Sequence, residues 1–100
     1  MRLELSPLAQ TDLEAIGDYI ALDSPANALK FIQTLREQCK KIAQSPMAYV
    51  ARPELGDGLR SCAHGRHVIF FIPTGDFVRI ERILHGALDI QSGLFDPEVE

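Results

Sequence analysis

The sequence predicts an α+β domain in the order β-α-α-β-β-β, an antiparallel sheet with an N-terminal helical hairpin packed on one face. Three observations predict it. The dipeptide Ser-Pro stands at 6–7, 24–25 and 45–46 and punctuates the first half into two helical segments. Beyond residue 58 the apolar period changes from helical to strand-like. One of the later segments, "RHVIFFI", is apolar on both faces, which places it in the interior of a sheet.

"MRLEL" at the start reads as a strand. Ser6 and Ser24 suit helix N-caps, with Pro7 and Pro25 at the first helical position, where an N–H has no intrahelical partner to lose. After the first cap, Leu8, Leu13, Ile16 and Ile20 recur at near-helical spacing, with Asp12, Glu14 and Asp18 among the polar positions. After the second, Ala28, Phe31, Ile32, Leu35, Cys39 and Ile42 form an apolar stripe. Pro46 ends that helix because it disfavours the α conformation at Ser45. Only "LDSP" separates the two helices, so they double back as an antiparallel hairpin. "RPELGDGLRS" is loop-like, and "LRSCAH", "RHVIFFI" and "FVRIERILH" read as three strands joined at Gly65 and by "PTGD". Strict alternation puts Val78, Ile80, Arg82 and Leu84 on one face of the last strand and Phe77, Arg79, Glu81 and Ile83 on the other. The domain is expected to span 1–90. Residues 91–100, without a periodic apolar face, are expected to form a mobile acidic tail.

Composition sets the outer bounds. A chain of 100 residues is one domain, and one of this size buries roughly 60–70% of its unfolded surface without needing disulfides or metal. The longest purely apolar run is the five residues 68–72, far short of the ~20 that a membrane-spanning helix needs. "MRLELSPLAQ" lacks the apolar stretch of an export signal, so a cytoplasmic location is expected. Cys39 and Cys62 lack C-x-x-C spacing and sit in core-forming segments, which reads as a pair of buried free thiols. The net charge is −4. Setting aside Asp89, Asp96, Glu98 and Glu100 leaves ten acids against ten bases, so the body is neutral and the C-terminal segment carries the imbalance. Proteins that grip nucleic acid by its phosphates normally carry excess Lys and Arg. No direct nucleic-acid partner is expected here, although neutrality overall leaves room for a local basic patch.

Candidate chemistry is concentrated in the sheet half. Cys62, His64, His67 and His85 are zinc-ligand types, but no C-x-x-C pair or H-E-x-x-H helix organises them, and neither metal nor cofactor is expected. No G-x-S-x-G elbow marks a nucleophile. A metal-free ribonuclease needs a general base, a general acid and cations. Arg60, Arg66, Arg79 and Arg82 with the three histidines supply the raw materials, nearly offset by Glu54, Asp57, Asp76 and Glu81. The simpler reading makes Arg79 and Glu81 a solvated pair and Arg82 an anchor for a loop or carboxylate. On the same reading His85 and Gly86 end the last strand, His85 donates a bond that fixes the tail, and Asp89 pairs with Arg82 or a neighbour.

"RPELGDGLRS", "GRHVIFFI" and "RILHGALDI", in this order after a capped helix pair, resemble the ParE toxins of the RelE/ParE toxin–antitoxin superfamily over residues 3 to 90. The resemblance implies the β-α-α-β-β-β fold already reached from periodicity. It implies a non-enzymatic toxin that inhibits DNA gyrase by protein–protein contact, held in a hetero-oligomer by a ParD-like antitoxin. RelE-like relatives instead cut ribosome-bound mRNA with lysines and arginines of the sheet and commonly a C-terminal tyrosine. This chain has no lysine after Lys41, and its tyrosines, Tyr19 and Tyr49, precede the main strands. A non-toxic antitoxin-binding relative is the remaining alternative. The family's last motif usually reads H-G-A-R-D or H-G-R-R-D, whereas position 88 here is Leu. Arg60, Arg82, His85 and Asp89, with Leu29 and Phe31 of the hairpin, are the residues expected to contact gyrase or antitoxin. The hairpin also carries more apolar positions (Leu22, Leu29, Phe31, Met47) than one thin core needs, as an antitoxin groove would require.

Overall fold

The computed structural model describes residues 1–95. Strand β1 (Arg2–Leu5) leads into helices α1 (Pro7–Asp23) and α2 (Pro25–Gln44), followed by β2 (Val50–Ala51), β3 (Arg60–His64), β4 (His67–Thr74) and β5 (Phe77–His85). Ser24 caps α2 by accepting from the Asn27 N–H at 3.2 Å. Ser6 does more. Its hydroxyl accepts from the Ala9 N–H at 3.0 Å and donates to the Glu81 carbonyl at 2.7 Å, while its own N–H donates to the Ile80 carbonyl at 2.9 Å. One buried side chain therefore starts a helix and clamps that helix to the sheet. A cap alone is worth ~1 kcal/mol.

The α+β class and the position of β4 at the sheet centre are as expected, with order β1-β5-β4-β3-β2. The sheet is mixed, however, because β1 runs parallel to β5 while the other pairs are antiparallel. A two-residue strand, β2, adds an edge that is too short to leave any periodic signal. The strict alternation expected for β5 also fails. Phe71 pairs with Ile80 but Phe70 pairs with Arg82, so one extra residue bulges from β5 at Glu81. Val78, Ile80 and Ile83 thereby join the core beneath the helices, and Leu84 joins a second cluster with Phe70.

The first cluster packs Leu35, Cys39 and Ile42 of α2 against Ile69, Phe71 and Ile80. Cys62 belongs to it, and burial followed by this second thiol pushes Cys39 up to about 11, which keeps it an inert core residue. The second cluster sets Phe70 and Leu84 against Leu55 and Leu59 of the 52–59 loop. Leu94 and Phe95, in the segment where the sequence predicts the start of a mobile tail, pack on this cluster. The Phe95 ring stands 5.0 Å from Phe70, and the Arg82 guanidinium donates to the Leu94 carbonyl at 2.6 Å. The rest of that segment, 96–100, lies outside the described residues.

Candidate functional site

The bulge determines what Arg82 can do. Beyond Leu5 the outer edge of β5 has no strand beside it among the described residues, and α1 crosses there instead. Arg82 Nε and Nη2 donate to the two carboxylate oxygens of Asp12 at 2.8 and 2.7 Å, and Asp12 Oδ2 also accepts from the Ile83 N–H at 3.0 Å. The bonds to Asp12 raise the Arg82 pKa further, against the opposing effect of burial. Arg82 is thus the carboxylate anchor foreseen in the sequence, with Asp12 as its partner and not Asp89. Asp89 accepts from Gln91 Nε2 at 2.8 Å. Arg60 is likewise committed internally, donating to the Tyr49 carbonyl at 2.7 Å. Arg79 and Glu81 do pair, at 3.0 Å, but their side chains are only 26% and 12% exposed, so the pair is less solvated than expected.

His85 lies at the exposed end of β5, and its Nδ1 accepts from the Ala87 N–H at 3.0 Å. It acts as an acceptor in place of the donor role expected from sequence. Gly86 sits at a close approach: a Cβ there would stand a tight 3.2 Å from the Arg66 carbonyl, to which the Gly86 N–H donates at 2.8 Å.

Cross-strand register makes a row of the three histidines. His64 pairs with His67 across the Gly65–Arg66 turn, and His67 pairs with His85. Phe31 of α2 packs edge-on against His64 and His67 with ring centres 5.8 and 5.3 Å away, and His67 stands 5.3 Å from His85. Thr34 Oγ1 lies 3.3 Å from His64 Nε2. Burial, then the neighbouring His85 and His64, hold His67 below the ordinary histidine value. Ile16, Tyr19 and Ile20 of α1 complete a cleft of about 700 Å³ whose rim includes Arg66. Among the described residues, no group of three or more His, Cys, Asp or Glu is placed to hold a metal ion.

The structure therefore brings Phe31 and His85 into one cleft and leaves Arg60, Arg82, Asp89 and Leu29 elsewhere. Leu29, 64% exposed, lines a separate groove of about 990 Å³ beside Leu13, Ile32 and the charged side chains Glu14, Asp18 and Arg36. Tyr19 and Leu22, near the end of α1, are 77% and 86% exposed. The histidine row escaped the sequence reading, although "HGRH" carried a usable signal. A two-residue turn makes its flanking residues direct cross-strand partners.

Comparison with known proteins adds to this geometry. A family model described as ParE toxin of type II toxin-antitoxin system, parDE, matches residues 3–90. No curated protein matches the chain. Among solved structures, a chain described as the chromosomal ParDE TA system from P. aeruginosa is similar, with a TM-score of 0.72 and 32% sequence identity. That match covers 85% of this chain and 95% of the other.

Proposed function

This chain belongs to the ParE toxin family of type II toxin–antitoxin systems, and from that premise we propose that it inhibits DNA gyrase by protein–protein contact and is neutralised by a ParD-like antitoxin. The family match over residues 3–90 carries the reading. The fate of the polar groups supports contact over catalysis. Arg52, Arg60, Arg79 and Arg82 are spent on internal bonds, and the three lysines all lie on α2, away from the sheet. The surface offers a partner exposed apolar side chains, among them Tyr19, Leu22 and Leu29, and a groove lined by Leu29 with Glu14, Asp18 and Arg36. An amphipathic antitoxin segment has a fitting seat in such a groove. Toxin and antitoxin form a cytoplasmic hetero-oligomer, and the freed toxin meets gyrase there.

A RelE-like ribonuclease is the second reading, favoured by one observation, the three histidines beside Arg66. Expression without antitoxin separates the two. The gyrase reading expects filamentation, a DNA-damage response, intact mRNA and, in vitro, gyrase trapped with cleaved DNA. Ribosome-dependent mRNA cuts that precede any DNA damage, and that are abolished by His85→Ala, would overturn it in favour of the nuclease.

A further inference from the structure

Three imidazoles and the Arg66 guanidinium meet in the histidine cleft. We infer that it binds a phosphate ester, holding one nucleotide unit with its phosphate at Arg66 and the imidazole edges and its base against Tyr19 and Phe31. Three observations carry this. The lining residues include three imidazoles and a guanidinium and no carboxylate. Of the five arginines that come after Val50, four have side chains with hydrogen-bonded or ion-paired partners, and the Arg66 guanidinium alone has none among the described residues. The volume, about 700 Å³, falls within the roughly 300–1,000 Å³ usual for small-molecule sites. A local basic site thus exists in a body that is neutral overall.

The chemistry is complementary part by part. Guanidinium and imidazolium donors form charge-assisted bonds to phosphate oxygens. Ring faces accept a base with little sequence preference. The groups facing the site are His64 from β3, Arg66 from the turn, His67 from β4, His85 from β5, the Tyr19 phenol from α1 and the uncharged Thr34 hydroxyl from α2. A bound oxyanion favours protonated imidazoles, so binding takes up protons and tightens as pH falls through the histidine range.

The test monitors the imidazole carbon-bound proton resonances of the isolated protein by NMR as thymidylyl-thymidine is added. This phosphodiester keeps one charge throughout the titration range, so any pH effect belongs to the protein. Saturable shifts at all three histidines are expected, with affinity about tenfold tighter near pH 5.5 than near pH 8. Arg66→Ala is expected to weaken binding at least about fivefold, His67→Asn to weaken it and flatten its pH dependence, and Lys40→Ala to leave it unchanged. Absence of saturable shifts overturns the inference. So do equal shifts produced by sodium chloride at matched ionic strength, or parental binding by both Arg66→Ala and His67→Asn. Where binding is seen, two further ligands identify its source. Tighter binding of oligothymidylate assigns the site to a nucleic-acid strand, and tighter binding of AMP to a free nucleotide. Toxicity does not enter the readout, so failure here leaves the gyrase reading standing.

Discussion

Phe70 and Phe71 are adjacent in β4, both 0% exposed, and buried by different means. Phe71 faces the helical hairpin, whose stripe of Leu35, Cys39 and Ile42 covers it with regular structure. Phe70 faces the other way, under Leu55 and Leu59 of an irregular loop and Phe95 of the C-terminal segment. Both rings are shut off from water completely, but only one cover is written in a period. Irregular cover is held by a few particular contacts, chief among them Arg82, which reaches Asp12 on α1 and the Leu94 carbonyl beyond β5.

Truncating each phenylalanine to alanine measures the comparison directly. Phe71→Ala is expected near the top of the ~3–5 kcal/mol range for such losses, and Phe70→Ala near its bottom, because loop and tail can collapse onto the vacated space. Chemical denaturation gives both values, and equal losses would mean that the irregular cover is as rigid as the helices. Replacing Arg82 with Met tests the anchor. It leaves the Asp12 carboxylate largely buried and unpaired, and a cost of about 2–3 kcal/mol is expected after allowing for partial exposure.

Truncation after Ile90 removes Leu94 and Phe95, and about 1–2 kcal/mol should go with them, more than the ~0.5 kcal/mol of an ordinary surface change. A loss no larger than that would support the mobile tail expected from sequence. Combined with Arg82→Met, the truncation should cost less than the sum of the two, since both break the Arg82–Leu94 bond.

Smaller still is the pH effect at His67. Its folded value lies below the ordinary ~6.5 because burial and the neighbouring His85 and His64 disfavour the charged ring. Below that ordinary value the unfolded chain therefore binds more protons than the folded one. Stability should be full above the histidine range and decline as pH falls through it, and His67→Asn should flatten that slope in thermal melts. Leu88→Arg should leave stability within ~0.5 kcal/mol, because Leu88 is 50% exposed. If the family's usual arginine aids gyrase contact, the same change should increase gyrase trapping, and unchanged trapping would show that position 88 is not part of that surface.

Local chemistry and period made much of the fold legible. Ser6-Pro7 and Ser24-Pro25 start the helices, Pro46 stands just past the end of α2, and the two-faced apolar run of β4 marks the centre of the sheet. These signals act over a few residues, and hydrophobic spacing repeats them along each element. Only the tertiary structure decided the rest. The parallel pairing of β1 with β5 and the meeting of Asp12 with Arg82 join residues about seventy positions apart, and no local period encodes such a pairing. A single bulged residue at Glu81 reversed the faces of Ile83 and Leu84, because a period of two carries a one-residue slip to every later side chain. The histidine row depends on the register of three strands, and a candidate site became visible only once that register was set.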